Sequence, residues 1–272
     1  MSKIWFLTGA SRGLGRAFTE AALSRGDRVA ATARNTDTLT GLAETYGDAV
    51  LPLALDVTDR AAVQAAVTTA HERFGRLDVV VNNAGYGLFG MVEEVTEEQA
   101  RQQMDTNFFG ALNVTQAALP LLRAQGGGHI VQISSLGGIV AFPSLGIYNA
   151  SKWALEGMTE SLAQEVAPFG VKVTLVEPGG FGTDWGGSSA TYAEPIAAYQ
   201  PARDALAAVS EGATSGDPKA AAALLKVVDA EEPPLRILFG AMPVDFVKGL
   251  YAQRLQTWAD WEQVSIAAGG GA

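Results

Sequence analysis

The sequence predicts an α/β fold in which a doubly wound parallel sheet carries helices on both faces. Six short apolar segments, each typical of a buried strand, alternate with segments of helical periodicity. A seventh apolar segment, RILFG at residues 236–240, follows near the C-terminus. No linker divides the chain, so residues 1–272 are expected to form one domain around a sheet of mostly seven parallel strands.

Individual elements follow from the local pattern. The first strand is predicted at residues 3–8 and the fifth at residues 129–134, where apolar residues run without interruption. Thr96 and Gln99 have the spacing of a capping box at the start of a helix. Helices are predicted at residues 96–123, 147–167, 219–230 and 244–264.

Composition and charge exclude several function classes. The chain has 19 Lys and Arg against 29 Asp and Glu, a formal charge of −10, so neither nucleic acid nor an anionic membrane is an expected partner. It contains no cysteine, and its two histidines, His71 and His129, are expected to be structural, so no metal site is expected. With no signal peptide and no apolar run of about 18 residues, a soluble cytoplasmic protein is expected.

Three glycines punctuate the turn between the first strand and the next helix. Gly9, Gly13 and Gly15 have the spacing G-x-x-x-G-x-G. This differs from the general dinucleotide fingerprint G-x-G-x-x-G, but it meets the same needs for a tight turn and close backbone approach. Such a turn places a helix N-terminus against a pyrophosphate. A dinucleotide site is predicted, and a glycine-rich turn without a ligand is the alternative.

The residue at position 34 bears on which dinucleotide binds. An acidic residue about 20 positions beyond the glycine motif usually receives the ribose 2′-hydroxyl. Here that place is taken by Arg34, whose guanidinium suits a 2′-phosphate through charge-assisted, forked hydrogen bonds. Arg12, inside the glycine turn, is the second candidate cation. The pair favours NADP(H) over NAD(H), unless Arg34 is merely a solvated loop residue.

Other strand ends carry residues suited to ligand contact. Asp56 ends the third strand, where it is placed to accept a hydrogen bond from an adenine amino group, and residues 82–85, NNAG, end the fourth. Pro178, Gly179 and Thr183 follow the sixth strand. Because open α/β sheets bind ligands beyond the carboxyl ends of their strands, these segments are predicted to border one site.

Tyr148, Lys152 and Ser135 form a candidate catalytic group. A spacing of four residues puts Tyr148 and Lys152 on one helix face, and Ser135 ends the strand before that helix. A tyrosine is a poor base at neutral pH, but a nearby ammonium lowers its pKa. It can then exchange a proton with a carbinol oxygen as hydride moves at carbon. A helix with an incidental Tyr and Lys is the alternative.

The segment at about residues 184–218 departs from the regular alternation and is predicted to be a mobile helical flap over the substrate. Phe181, Trp185, Tyr192 and Tyr199 supply aromatic surface there, which favours an apolar substrate. Ordinary packing of the flap explains each aromatic residue equally well.

With these motifs in place, the sequence resembles the short-chain dehydrogenase/reductase family over about residues 3–185. The resemblance implies a Rossmann-like fold, with Tyr148 as general acid/base, Lys152 lowering its pKa and bonding the nicotinamide ribose, and Ser135 orienting the substrate oxygen. It implies that Asn107 holds a water on the proton path. Glu177 departs from the family, in which many members have Asn. The cofactor-binding residues that it implies are Gly9, Ser11, Arg12, Gly13, Leu14, Gly15, Arg34, Asp56, Val57, Asn83, Ala84, Gly85, Tyr148, Lys152, Pro178, Gly179, Phe181 and Thr183.

The predicted function is that of an NADP(H)-dependent oxidoreductase interconverting a ketone or aldehyde and an alcohol. The resemblance also implies a homodimer or homotetramer. One alternative is a non-catalytic NADP(H)-binding redox sensor or scaffold, which would have no need of the four candidate catalytic residues. Another is an epimerase or dehydratase on the same fold.

Overall fold

The computed structural model describes residues 2–181, 186–187, 190–210 and 217–269. Its strands are β1 (Ile4–Leu7), β2 (Arg28–Ala33), β3 (Val50–Ala54), β4 (Val79–Asn82), β5 (Leu88–Phe89), β6 (Gly128–Ile133), β7 (Val171–Pro178), β8 (Thr191–Tyr192) and β9 (Arg236–Phe239). Its α-helices are α1 (Gly13–Ser24), α2 (Thr40–Tyr46), α3 (Arg60–Phe74), α4 (Glu97–Met104), α5 (Ala111–Ala124), α6 (Gly146–Val166), α7 (Gln200–Ser210), α8 (Asp217–Asp229), α9 (Ala241–Asp260) and α10 (Glu262–Ala268).

Seven parallel strands form the main sheet, in the order β3-β2-β1-β4-β6-β7-β9. This confirms the predicted doubly wound, Rossmann-like fold and its seventh strand. The chain first builds outward from β1 to β3 and then returns to add β4 on the other side of β1. This reversal opens a crevice at the carboxyl ends of β1 and β4, where such sheets bind ligands.

Each face of the sheet buries its own apolar layer. Along β1, Trp5 and Leu7 pack on one face and Phe6 on the other, and all three side chains are fully buried. The first face is covered by α1 and α8, and the second by α3, α5 and α6. Because both faces are covered, the strands are apolar on both sides, which explains the uninterrupted runs in the sequence.

The predicted helix over residues 96–123 is interrupted. Its start is correct, because Thr96 and Gln99 form a complete capping box at the N-terminus of α4. Residues 105–110 form a π-helical turn before α5 begins. Gly110 ends that turn against Val57, whose Cγ2 would lie only 2.5 Å from a Cβ at this position. Such turns recur at functional sites, and this one carries Asn107.

The flap is attached to the rest of the chain where the structure describes it. β8 pairs in parallel with β5, and Tyr192 stacks on Phe89 with ring centroids 5.1 Å apart. The carboxylate of Glu94, whose side chain is 1% exposed, pairs with Arg203 of α7. The predicted aromatic contribution of Trp185 lies outside the described residues.

Candidate active site

One cavity of about 900 Å³ lies at the carboxyl edge of the main sheet. The glycine turn, the ends of β4 and β6 and the first turn of α6 enclose it. Every cofactor-binding residue predicted from the sequence lines it, apart from Thr183, which lies outside the described residues. Ser135 lines it too. The fold therefore brings the described cofactor-binding residues and three of the four candidate catalytic residues, Ser135, Tyr148 and Lys152, to one site.

The glycine turn meets strict local demands. Gly9 has a φ of +70°, a left-handed conformation that residues with a Cβ rarely adopt. Gly15, in the first turn of α1, leaves no space for a side chain, because a Cβ there would lie 2.2 Å from the Gly9 carbonyl oxygen. The backbone therefore lies directly at the cavity wall, which is the close approach that a pyrophosphate needs.

Asn83 braces the glycine turn from the end of β4. Its Nδ2 donates to the carbonyl oxygens of Thr8 at 2.9 Å and Gly9 at 3.0 Å. The Thr8 hydroxyl in turn accepts from the backbone N–H groups of Asn83 and Ala84. Both side chains thus tie β1 to β4 at the crevice. The role of Thr8 was not predicted, because a Thr before a glycine motif carries no signal of its own.

Two arginines border the same cavity at its exposed rim. Arg34 follows β2 directly, and Arg12 precedes α1 as its N-cap residue. Among the described residues, no carboxylate lies within 4 Å of the Arg34 guanidinium. Asp56 also lines the cavity, and its Oδ1 accepts hydrogen bonds from the N–H and the hydroxyl of Thr58. The rim of the cavity therefore carries exposed positive charge from two side chains.

Three of the four candidate catalytic side chains meet at the start of α6. Tyr148 and Lys152 are 5% and 6% exposed, and the Lys152 Nζ lies 5.9 Å from the centroid of the Tyr148 ring. The Ser135 hydroxyl is hydrogen-bonded to the Tyr148 side chain. The Lys152 ammonium donates to the Ile133 carbonyl oxygen at 2.8 Å, which fixes it to the end of β6.

Burial is the largest influence on the pKa values of Tyr148 and Lys152. It raises the pKa of Tyr148 to about 12, against the lowering effect of the Ser135 hydroxyl. It also lowers the pKa of Lys152 to about 8, against the raising effect of the Glu156 carboxylate. The direction for Tyr148 is opposite to the lowering predicted from the sequence. At neutral pH Tyr148 carries its proton, so it is suited to donate one.

Asn107 lies beside this group without lining the cavity. Its Oδ1 accepts from the Tyr86 N–H at 3.1 Å, and its Nδ2 donates to the Tyr86 carbonyl oxygen and to the Ser151 hydroxyl. A Cβ on Gly85 would lie 3.0 Å from Asn107 Oδ1 and 3.7 Å from Lys152 Nζ. Asn107 therefore holds the segment after β4 against α6, and its role in holding a water stays a prediction.

The wall beyond Tyr148 differs from the one expected. Phe142, Leu145 and Phe181 border the cavity with apolar surface. Tyr192 is 58% exposed and packs on Phe89 instead, and the Tyr199 hydroxyl donates to Glu93 at 2.6 Å. Of the described aromatic residues predicted from the flap, only Phe181 lies at the cavity.

Comparison with known proteins agrees with this class of site. The family model for short chain dehydrogenases matches residues 3–192. The oxidoreductase BOA17 of Botryotinia fuckeliana is 46% identical, covering 98% of this chain and all of its own. A short-chain dehydrogenase from Streptomyces avermitilis superposes with a TM-score of 0.93 at 40% identity, covering 98% of this chain and 99% of its own. The fold and site define a nicotinamide-dependent oxidoreductase, and the chain belongs to the short-chain dehydrogenase family.

Related structures hold either form of the nicotinamide cofactor. A short chain dehydrogenase from Burkholderia cenocepacia, in complex with NADP, has a TM-score of 0.77 at 30% identity and covers 95% of this chain and 97% of its own. Another from Burkholderia phymatum, in complex with NAD, has a TM-score of 0.80 at 26% identity, covering 91% and 92%. A nicotinamide dinucleotide is therefore the cofactor class. None of the helices in the described ranges has the length and apolarity that a bilayer-spanning segment needs.

Proposed function

We propose that this protein is an NADP(H)-dependent oxidoreductase that interconverts a ketone or aldehyde and an alcohol. One observation carries the proposal: Tyr148, Ser135 and Lys152 meet in the same cavity as the glycine turn. The fit of a dinucleotide rests on the conformation of Gly9, the absence of space for a side chain at Gly15 and the cavity volume of about 900 Å³.

The catalytic residues would act on the substrate oxygen. A bound nicotinamide supplies or accepts the hydride. The Ser135 and Tyr148 hydroxyl groups would hold the carbonyl oxygen between them, and Tyr148 would donate its proton to that oxygen as the carbonyl is reduced. The positive charge of Lys152 stabilises the phenolate that Tyr148 becomes. The high pKa of Tyr148 keeps it protonated at neutral pH, which is the form that donates a proton to a carbonyl oxygen.

NADP(H) is the proposed form of the cofactor. Support comes from Arg12 and Arg34, which are exposed at the rim of the cavity. The likeness to the NADP-bound Burkholderia cenocepacia enzyme agrees with this, although the NAD-bound relative shows that the family accepts both forms. An apolar carbonyl substrate is proposed from Phe142 and Leu145 at the cavity wall.

Assembly and location are also proposals. A single domain forming a homodimer or homotetramer is proposed, and exposed Phe109 and Trp153 offer apolar surface for a second copy. Light scattering on the purified protein would give its mass. A cytoplasmic location agrees with a chain that has no cysteine.

The test compares the wild type with Tyr148→Phe across a panel of ketones and aldehydes, by NADPH consumption. We expect turnover to fall by at least about 100-fold in the variant, because the proton donor is lost. NADPH binding, followed by the fluorescence of the cofactor, should be retained. Comparable turnover by both proteins would exclude Tyr148 as the acid. NADPH binding without turnover by the wild type on any substrate would favour the non-catalytic alternative.

A further inference from the structure

A second group of charged side chains is buried near Lys152, outside the residues assigned above. Glu156 follows Lys152 by one turn of α6, and its side chain is 6% exposed. Glu177, near the end of β7, is 3% exposed. Arg236, the first residue of β9, lies between the two carboxyl groups. Buried charges are costly unless they are paired, so this cluster calls for an explanation.

The hydrogen bonds of Arg236 are unevenly shared. Its Nε donates to Glu156 Oε2 at 2.9 Å, and its Nη2 donates to Glu160 Oε2 at 2.8 Å. Glu177 Oε1 lies 3.7 Å from the same Nε, which is too far for a hydrogen bond. Within the part of the chain that the structure describes, Glu177 Oε1 has no hydrogen-bond partner. The Arg236 guanidinium therefore forms hydrogen bonds with two carboxyl groups and none with the third.

Protonation of Glu177 resolves this imbalance. Burial raises the pKa of Glu177 to about 8, with a further rise from Glu156 and only partial relief from Arg236. At neutral pH Glu177 is then uncharged. Burial raises the pKa of Glu156 as well, and hydrogen bonds from Ser134 and Arg236 and the charges of Arg236 and Lys152 oppose that rise. With Glu156 and Glu160 ionised and Glu177 protonated, two negative charges match the positive charges of Arg236 and Lys152.

Electrostatics and packing connect this cluster to the catalytic group. Glu156 raises the pKa of Lys152 and so opposes the loss of its charge on burial. A Cβ on Gly138 would lie 3.0 Å from Glu156 Cγ and 2.5 Å from the Ser134 hydroxyl oxygen. The absence of a side chain at Gly138 thus lets Glu156 lie against residues 134–138, the segment that contains Ser135.

We infer that Glu156, Glu177 and Arg236 are positioning residues that balance the charge of Lys152 and hold its ammonium group beside Tyr148. This inference rests on the proposed function only in that Lys152 supports proton transfer at Tyr148. It assigns a role to the Glu that precedes Pro178, which the sequence left unexplained. The charged and titratable groups that face Lys152 or its cluster are Tyr148, Glu156 and Glu160 on α6, Glu177 on β7 and Arg236 on β9.

The direct test measures the titration of Lys152 in Glu156→Gln. Protein labelled with ¹³C-lysine is titrated by NMR, and the Lys152 resonance is assigned by its loss in Lys152→Met. Removing the carboxylate should lower the Lys152 pKa by about one unit. Glu160→Gln is the matched control, because Glu160 also bonds Arg236 but is 54% exposed and a full turn further from Lys152. Equal Lys152 titrations in the two variants would overturn the inference.

Activity adds a readout that separates the two proposals. In Glu156→Gln the alkaline limb of the pH profile of kcat should move down with the Lys152 pKa, whereas Glu156→Asp should restore the wild-type limb. A wild type without turnover but with the expected Lys152 shift would defeat the proposed function and support the inference. Turnover in the wild type, together with an unchanged Lys152 pKa in Glu156→Gln, would support the proposed function and defeat the inference.

A second measurement needs no variant at Glu156, in case Glu156→Gln does not fold. Infrared spectroscopy of the wild type at neutral pH should show the carbonyl band of a buried protonated carboxyl group, and Glu177→Gln should lack it. If the band is missing from the wild type or persists in Glu177→Gln, the proposed charge balance is wrong.

Discussion

The proposed cofactor side of the cavity depends mainly on backbone geometry, whereas the proposed substrate side depends on side-chain contacts. On the cofactor side, Gly9 and Gly15 admit conformations and contacts that a side chain would prevent, and Asn83 braces them. On the proposed substrate side, Phe142 and Leu145 line the wall, and outside the cavity the side-chain pair of Glu94 with Arg203 attaches the flap. Backbone geometry restricts which residue types fit, so the first side is visible in the sequence. Many residue types can form a side-chain pair, so the second side is not.

The largest effect on the cofactor side is expected from Gly15→Ala. Its Cβ would lie 2.2 Å from Gly9 O and 2.3 Å from Asn83 Nδ2, so the turn must move, and with it the proposed pyrophosphate site. If two charge-assisted hydrogen bonds are lost, NADPH affinity should fall by about 100-fold or more. Fluorescence titration measures it. Gly157→Ala is the control, because nothing lies within 4 Å of a Cβ at that exposed position of α6. Equal NADPH affinity in both variants would show that the turn does not hold the pyrophosphate.

This difference also explains how far sequence reasoning reached. The doubly wound parallel sheet followed from the alternation of strand and helix patterns, and that prediction is confirmed. The glycine turn followed from the glycine spacing, and its role in binding a dinucleotide stays a prediction. The π-helical turn at residues 105–110 could not be predicted, because it depends on the packing of Gly110 against Val57. The pKa of Tyr148 is raised and not lowered, because burial, which the sequence does not show, outweighs the hydrogen bond from Ser135.

Arg34→Asp tests whether this residue of the cofactor side selects NADPH over NADH. A carboxylate at the end of β2 would repel a 2′-phosphate and accept a hydrogen bond from a 2′-hydroxyl. The ratio of kcat/KM for NADPH to that for NADH should fall by about 10- to 100-fold. Arg73→Asp changes charge equally on the surface of α3, where Arg73 pairs with Asp48. It should leave the ratio unchanged, and a similar change in both variants would point to net charge alone.

A smaller effect is expected from the flap. Arg203→Met removes the partner of buried Glu94, which still accepts from the Met91 and Ile196 N–H groups. The flap would then be held less firmly over the substrate end. We expect the KM for the carbonyl substrate to rise by about 10-fold while NADPH binding is kept. Arg101→Met, which breaks an exposed pair with Glu97 on α4, is the control. A matching loss of NADPH affinity in Arg203→Met would mean that the two sides are not independent.

Between these sides, Glu177 should affect stability more than binding. Its ordinary pKa is 4.5, and burial raises the folded-state value to about 8. Between pH 4.5 and about 8, the folded state therefore binds one more proton at Glu177 than the unfolded state does. Its contribution to stability is present below pH 4.5 and is lost as the pH rises towards 8, with a slope of about 1.4 kcal/mol per pH unit.

Glu177→Gln removes this titration while keeping the shape of the neutral carboxyl group. The free energy of unfolding, measured in urea at several pH values, should therefore decline less steeply between pH 4.5 and 8 than in the wild type. Glu160→Gln, at an exposed position, should keep the wild-type slope. Parallel slopes for the wild type and Glu177→Gln would mean that Glu177 is ionised in the folded protein. The charges on α6, β7 and β9 that surround Lys152 would then be balanced in a different way from the one inferred.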